Sequence, residues 1–167
     1  MKIKSKLAQV FLSAALAAFA FPAVADNACY APAQMRAEQL LRLHSELMVI
    51  TAICHQGSAG QPLPDAYAFF TKKNIGILRT AEQTMIAHYR ATAKGDAIGR
   101  LDRLRTLLAN EFALKSASMS SPKFCAAYRD KVIRFTAATP ADIENEAQLM
   151  EASSHAYASR CGAQKGR

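Results

Sequence analysis

Apolar residues recur at steps of three and four positions through most of the chain, and this spacing constrains the fold more than any other feature. Leu40, Leu43, Leu47 and Ile50 mark the first such stripe. Side chains at these steps lie on one face of an α-helix, which has 3.6 residues per turn. No segment of useful length alternates apolar and polar residues, as a half-buried strand does. The sequence therefore predicts an all-α protein.

The first half of the chain predicts two long helices. The first covers 34–54, and a loop rich in glycine and proline follows it. The second covers 65–94, where Asp65 is placed to cap the first turn and Gly95 provides a left-handed stop. Each helix has one apolar face, so each needs a packing partner.

The second half predicts two or three more helices. Asp96, Ser121 and Thr139 each precede another apolar stripe, and residues of these types favour the N-cap position. Connections between the stripes are short, which favours antiparallel neighbours. We therefore expect a single-domain antiparallel bundle of four to five helices over 26–161, stapled by disulfides, and a frayed C-terminal tail over 162–167.

Three charged residues on the first predicted helix alternate in sign. Glu38, Arg42 and Glu46 follow one another at four-residue steps. Opposite charges at this spacing pair along the surface of a helix. We expect the three side chains to form a solvated face.

The N-terminus has the three-part pattern of a cleaved secretory signal. Lys2, Lys4 and Lys6 precede an apolar run over 10–21, and small residues lead up to Ala25. The apolar run is shorter than the about 20 residues that a membrane-spanning helix needs. We therefore expect cleavage after Ala25 and a periplasmic mature protein without a membrane span.

Four cysteines follow this leader, and the periplasm favours their oxidation. Cys29 and Cys54 flank a helix about 30 Å long, so joining them would require the N-terminal segment to fold back. Tracing an up-and-down bundle places Cys54, Cys125 and Cys161 at one pole. This favours Cys54–Cys125 with Cys29–Cys161, and Cys54–Cys161 with Cys29–Cys125 is nearly as plausible. The sequence contains no Cys-x-x-Cys motif, which would indicate a redox site.

The charge balance favours anionic partners. The chain has 21 basic and 13 acidic residues, and loss of the three leader lysines leaves an excess of five positive charges. This excess suits an anionic envelope component or an acidic protein, whereas no nucleic-acid recognition motif is present. The candidate steering residues lie on the predicted third and fourth helices: Arg100, Arg103, Arg105, Lys123, Arg129, Lys131 and Arg134.

Copper binding is the alternative function. His44 and Met48 are four residues apart on one predicted helix, and Met85 and His88 are three apart on the next. Imidazole and thioether groups on one helix face form a soft ligand set suited to copper. The sequence has no Cys-x-x-Cys-His haem motif, no repeated Glu-x-x-His and no readable catalytic constellation. We therefore expect neither a cofactor nor catalysis.

Three segments carry a resemblance to a known group of proteins. They are the run 42–49 leading into Cys54, the run 107–111, and the pair Phe124-Cys125. In these segments the chain resembles a family of short, exported, cysteine-containing helical proteins of Gram-negative bacteria. The resemblance spans about two-thirds of the mature chain. It implies an exported helical protein and adds nothing on mechanism.

Overall fold

The computed structural model describes residues 29–92, 95–153 and 157–162, which form six helices joined by loops and contain no strand. Two isolated bridges join Tyr30 to Arg160 and Gln56 to Pro62. The predicted leader 1–25 and positions 163–167 of the predicted tail lie outside the described residues. The helices are α1 (Pro32–Cys54), α2 (Leu63–Lys73), α3 (Ile75–Thr92), α4 (Ala97–Ala117), α5 (Ser121–Ala137) and α6 (Pro140–Ser153).

One of the predicted helices is two helices in the structure. α2 and α3 meet at Asn74, whose backbone N–H and side-chain amide both donate to the carbonyl oxygen of Phe70, at 3.0 and 2.9 Å. A side chain that bonds to the backbone in this way competes with continuation of the helix. The prediction of a single helix over 65–94 is therefore wrong. The described residues contain six helices instead of four or five.

Two of the predicted helix caps are confirmed. Asp96 accepts a hydrogen bond from the N–H of Ile98 at 3.1 Å. Thr139 and Asp142 form a reciprocal box, in which each side chain accepts from the other residue's backbone N–H, at 3.2 and 2.8 Å. The other two predictions are wrong. α2 begins before Asp65 and places this residue within its first turn, and α5 begins at Ser121 itself, which leaves Ser120 at the N-cap position.

α1 is the central helix and is contacted by each of the other five. Every residue from Ala37 to Leu47 is buried, so this part of α1 has no solvated face. The prediction of a solvated Glu38–Arg42–Glu46 face is therefore wrong, since these residues are 0%, 6% and 7% exposed. The surrounding helices enclose the polar side of α1 as well as its apolar side.

Each surrounding helix contributes a fully buried apolar side chain to the core. These are Phe70 of α2, Met85 of α3, Leu108 of α4, Phe124 of α5 and Ile143 of α6. Burial of one such side chain stabilises the fold by about 1.5–3 kcal/mol relative to leaving it in water. Among the described residues, no helix combines the length and apolarity that a bilayer crossing requires.

Two disulfides fasten the helices. Cys54 at the end of α1 is bonded to Cys125 in the first turns of α5, with their Cα atoms 5.4 Å apart. Cys29, ahead of α1, is bonded to Cys161 across a Cα separation of 5.0 Å. These are the two pairs that the tracing of the bundle favours.

Residues 157–162, called the C-terminal segment below, run beside the start of the described chain. The N–H of Tyr30 donates to the carbonyl of Ser159 at 2.8 Å, and the N–H of Cys161 donates to the carbonyl of Tyr30 at 2.9 Å. The segment is not helical. The spacing of apolar residues predicts a helix that continues to Cys161, and this prediction is wrong because the segment pairs with Tyr30 instead.

Candidate functional site

The C-terminal segment covers a buried charge network on α1. Arg42 donates to Glu38 at 3.2 Å and to Glu111 of α4 at 2.6 Å. The backbone N–H of Tyr157 donates to both carboxylate oxygens of Glu38, at 3.2 and 3.1 Å. The hydroxyl of Tyr157 donates to Glu111 at 3.2 Å, and its ring lies 5.8 Å from the Arg42 guanidinium carbon. The network therefore joins α1, α4 and the C-terminal segment.

The electrostatics of this network indicate a structural role. Burial raises the pKa of Glu38 above its ordinary value, and the N–H of Tyr157 and the guanidinium of Arg42 oppose that shift by stabilising the carboxylate. The Glu38 side chain is fully buried. A ligand in solvent therefore has no access to this carboxylate.

A second ion-pair cluster joins α1, α5 and α6. Lys131 contacts Glu46 at 3.0 Å and Glu146 at 2.8 Å, and its side chain is 15% exposed. All three line a cavity of about 460 Å³ that Arg42 and Glu111 also border. Lys131, predicted as a steering cation, is therefore already held by two carboxylates.

A different cavity, of about 360 Å³, lies between α3, α4 and the C-terminal segment, and it is called the Arg100/Arg103 cavity below. Within the described residues, Arg100 and Arg103 are exposed, form no ion pair, and are the only cations that line it. No carboxylate is among the described residues that line it. The lining residues are Tyr30, His88, Tyr89, Thr92, Arg100, Arg103, Leu104, Leu107, Tyr157 and Ala158.

Aromatic side chains supply the polar atoms in the wall of the Arg100/Arg103 cavity. The hydroxyls of Tyr30 and Tyr89 are 3.3 Å apart, and the ring of His88 packs edge-on against both tyrosine rings. Burial raises the pKa of Tyr30, Tyr89 and Tyr157, so their hydroxyls stay protonated. The Tyr157 hydroxyl donates to Glu111, and one hydroxyl of the Tyr30–Tyr89 pair donates to the other. Burial lowers the pKa of His88, which favours its neutral ring. Among the described residues, the wall is therefore uncharged apart from the two arginines.

The other predicted steering cations lie in different surroundings. Arg105 is paired with Glu82 of α3 at 3.1 Å. Lys123 and Arg134 are exposed on α5, and Arg129 of the same helix is partly buried. The structure therefore does not place the predicted cations in one patch, and only Arg100 and Arg103 line this cavity.

The residues predicted for copper are divided between core and surface. Met85 is fully buried, and Met48 is 40% exposed. His44 is nearly buried, stacks on Tyr67 and is 2.8 Å from the Tyr67 hydroxyl through Nε2. His88 packs against tyrosines in the wall of the Arg100/Arg103 cavity. Nothing in this arrangement specifically favours a metal site.

The buried His44 predicts a loss of stability in mild acid. Burial, and secondarily the charge of Arg105, lowers the pKa of His44 from 6.5 to about 4. The unfolded chain therefore takes up a proton between pH 6.5 and pH 4 that the folded chain does not. The contribution of His44 to the free energy of unfolding is fully present above pH 6.5. It decreases as the pH falls towards 4, by about 3 kcal/mol in total.

Urea unfolding between pH 7.5 and 4.5 measures this effect. We expect the pH dependence to decrease in a His44→Gln variant and to persist in His55→Asn, which alters an exposed histidine whose positive φ asparagine tolerates. Equal pH dependence in the wild type and His44→Gln would contradict the assignment.

Sequence reasoning identified the two arginines of the cavity and missed its aromatic wall. Tyr30 precedes the first helix, and Tyr157 follows the last one. The disulfide between Cys29 and Cys161 and the backbone pairing of Tyr30 with the C-terminal segment bring them to the same place. The favoured cysteine pairing was the one signal that could have located them.

Comparisons with known proteins give no match for the chain among protein-family models, curated proteins or solved structures.

Proposed function

We propose that the protein is an exported helical binding protein of the periplasm, which docks an anionic envelope component or an acidic protein without catalysis. One observation carries the proposal. Arg100 and Arg103 line the same cavity, are exposed, and have no ion pair with a described residue, whereas Arg105 and Lys131 are held by glutamates. An anion entering the cavity would therefore find two guanidinium groups and no carboxylate among the described lining residues.

The compartment in this proposal is supported by chemistry. Residues 1–25 have the pattern of a cleaved leader, and an oxidising compartment maintains bonds such as Cys54–Cys125 and Cys29–Cys161. Short connections between the helices favour an antiparallel arrangement. In this proposal the bundle is a rigid support for the cavity.

The geometry of the cavity suits binding. Of the paired Tyr30 and Tyr89 hydroxyls, the one that accepts from the other keeps its own proton available to an anion. Guanidinium groups bind carboxylate and phosphate oxygens through paired, charge-assisted hydrogen bonds. The excess of basic residues increases the rate at which anions encounter the protein.

Affinity for an anionic polymer tests this proposal. We expect the Arg100→Gln/Arg103→Gln variant to bind fluorescent polyglutamate at least about tenfold more weakly than the wild type in 0.15 M salt, because charge-assisted hydrogen bonds contribute about 1.5–3 kcal/mol each. The matched control is Lys72→Gln/Arg79→Gln, which removes two exposed charges from α2 and α3. Similar weakening in both variants would show that only net charge matters, and the cavity would lose its role.

A further inference from the structure

We infer that the partner is a peptide segment in which an acidic residue is followed closely by apolar residues, with the acidic side chain in the Arg100/Arg103 cavity and the apolar side chains along α4. The inference rests on the proposed function and narrows it to one class of ligand. It is carried by the spacing of the two arginines, the shape of the cavity and a row of exposed leucines beside it.

The two arginines are placed to hold a single carboxylate. Residues three apart lie on neighbouring positions of one helix face, so Arg100 and Arg103 project from the same side of α4. Each guanidinium is a planar fork that matches the two oxygens of a carboxylate. One hydroxyl of the Tyr30–Tyr89 pair adds a neutral donor to this wall, while the Tyr157 hydroxyl is bound to Glu111.

The cavity is an open recess that is large enough to admit a side chain. It lies between α3, α4 and the C-terminal segment, and its volume of about 360 Å³ is near the lower end for pockets that hold small ligands. A protruding side chain can enter such a space. A lipid surface presents its headgroups across a broad plane, so the concave shape favours a peptide.

Exposed leucines continue the surface beyond the cavity. Leu107 is 41% exposed in the cavity wall, and Leu114 is 71% exposed seven residues further along the same face of α4. Leu149 of α6 is 66% exposed and lines the neighbouring 460 Å³ cavity together with Glu111. We call Leu107, Leu114 and Leu149 the leucine row. Exposed apolar side chains that share a face, as Leu107 and Leu114 do on α4, are typical of interaction surfaces.

The acidic residue beside the leucine row does not oppose an acidic partner. Glu111 lies on α4 between Leu107 and Leu114, and it is bound to Arg42 and to the hydroxyl of Tyr157. Its charge is therefore compensated within the protein. The surface consequently offers cations at one end and uncharged apolar side chains at the other.

The distances fit a short extended peptide. Arg103 and Leu114 are separated by about 16 Å along the helix axis at 1.5 Å per residue. Five residues of extended peptide span about 17 Å. One acidic side chain and the apolar residues that follow it can therefore contact both parts of the surface at once.

Fluorescence anisotropy with a designed peptide tests the inference on the full mature chain. The probe is a labelled, amidated peptide of sequence Glu-Glu-Ser-Leu-Phe-Leu. One comparison peptide replaces both glutamates by glutamine, and another replaces the three apolar residues by serine. We expect each comparison peptide to bind at least about tenfold more weakly than the probe. We expect a similar loss with Arg100→Gln/Arg103→Gln, a loss of several-fold with Leu107→Ser, and no loss with Lys72→Gln/Arg79→Gln.

The outcomes separate this inference from the proposed function. Equal binding of the probe and the serine peptide, with both dependent on Arg100 and Arg103, would overturn the inference and leave anion binding in place. Binding of the glutamine peptide as tight as that of the probe, or probe binding unaffected by loss of the two arginines, would overturn both. Binding of phosphatidylglycerol vesicles that depends on the two arginines, together with no detectable peptide binding, would assign the cavity to lipid and also overturn the inference.

Discussion

An Arg42→Met variant is expected to unfold with a free energy about 3–5 kcal/mol lower than that of the wild type at pH 7. Its partner Glu38 is fully buried, and removal of the guanidinium leaves a carboxylate without its cation. The partly exposed Glu111 also loses its ion pair with Arg42. Urea unfolding followed by circular dichroism measures the difference. The matched control is Arg36→Met on the same helix, whose side chain is 51% exposed in a pair with Glu144, and it should cost less than about 1 kcal/mol.

The pH dependence of the Arg42→Met variant identifies the cause of its instability. Without the guanidinium, the pKa of Glu38 in the folded protein rises further above that in the unfolded chain. A raised carboxyl pKa favours folding at low pH and opposes it as the pH rises through the folded pKa. The deficit relative to the wild type should therefore be smaller at pH 5 than at pH 7. A Glu38→Gln/Arg42→Met variant should recover much of the loss, because glutamine stays neutral and still accepts from Tyr157. An equal deficit at both pH values, without this recovery, would contradict the assignment.

Removal of the Cys54–Cys125 bond is expected to lower the free energy of unfolding by about 2–4 kcal/mol, because the bond restricts the unfolded chain. A Cys54→Ser/Cys125→Ser variant removes the bond without leaving a thiol, and urea unfolding measures the loss. The single variant Cys54→Ser should in addition expose one reactive thiol to Ellman's reagent. An unchanged unfolding midpoint together with no new thiol would contradict the pairing.

The other bond provides a comparison with a different consequence for binding. A Cys29→Ser/Cys161→Ser variant should lose slightly more stability, because its bond closes a longer loop in the unfolded chain. It also releases the C-terminal segment that places Tyr157 in the wall of the Arg100/Arg103 cavity. Of the two double variants, we expect this one to have the larger loss of polyglutamate affinity at temperatures where both remain folded.

The helical class followed from local patterns in the sequence, whereas the cysteine pairs were favoured by tracing the bundle, over an alternative pairing that was nearly as plausible. Apolar spacing reports helices directly, and caps such as Asp96 depend only on neighbouring residues. The break at Asn74 was missed because an asparagine side chain can point to solvent or bond back to the backbone, and packing around α2 and α3 decides between these. The end of the last helix was missed for a related reason, because the C-terminal segment is held by pairing with the distant residue Tyr30.

The charges of α1 show that the spacing of charged residues alone does not predict whether they are solvated or buried. A ladder such as Glu38, Arg42 and Glu46 suits a solvated face, and it suits a central helix equally well when partners from other helices supply opposite charges. The adjacent leucines Leu40 and Leu41 were a sign of the second case, because neighbouring residues point about 100° apart and so widen the apolar face of α1. Partners such as Glu111 and Lys131 are far away in sequence, so only the folded chain identifies them.

Charge reversal at the cavity tests the central functional claim most directly. The measurement is the dissociation constant for fluorescent polyglutamate in 0.15 M salt, made in parallel on Arg100→Glu/Arg103→Glu and on Lys72→Glu/Arg79→Glu, two variants of equal net charge. The account predicts a loss of at least about a hundredfold for the first and less than about tenfold for the second, because only the first places repulsive charge in the cavity. Equal losses in the two variants would contradict it.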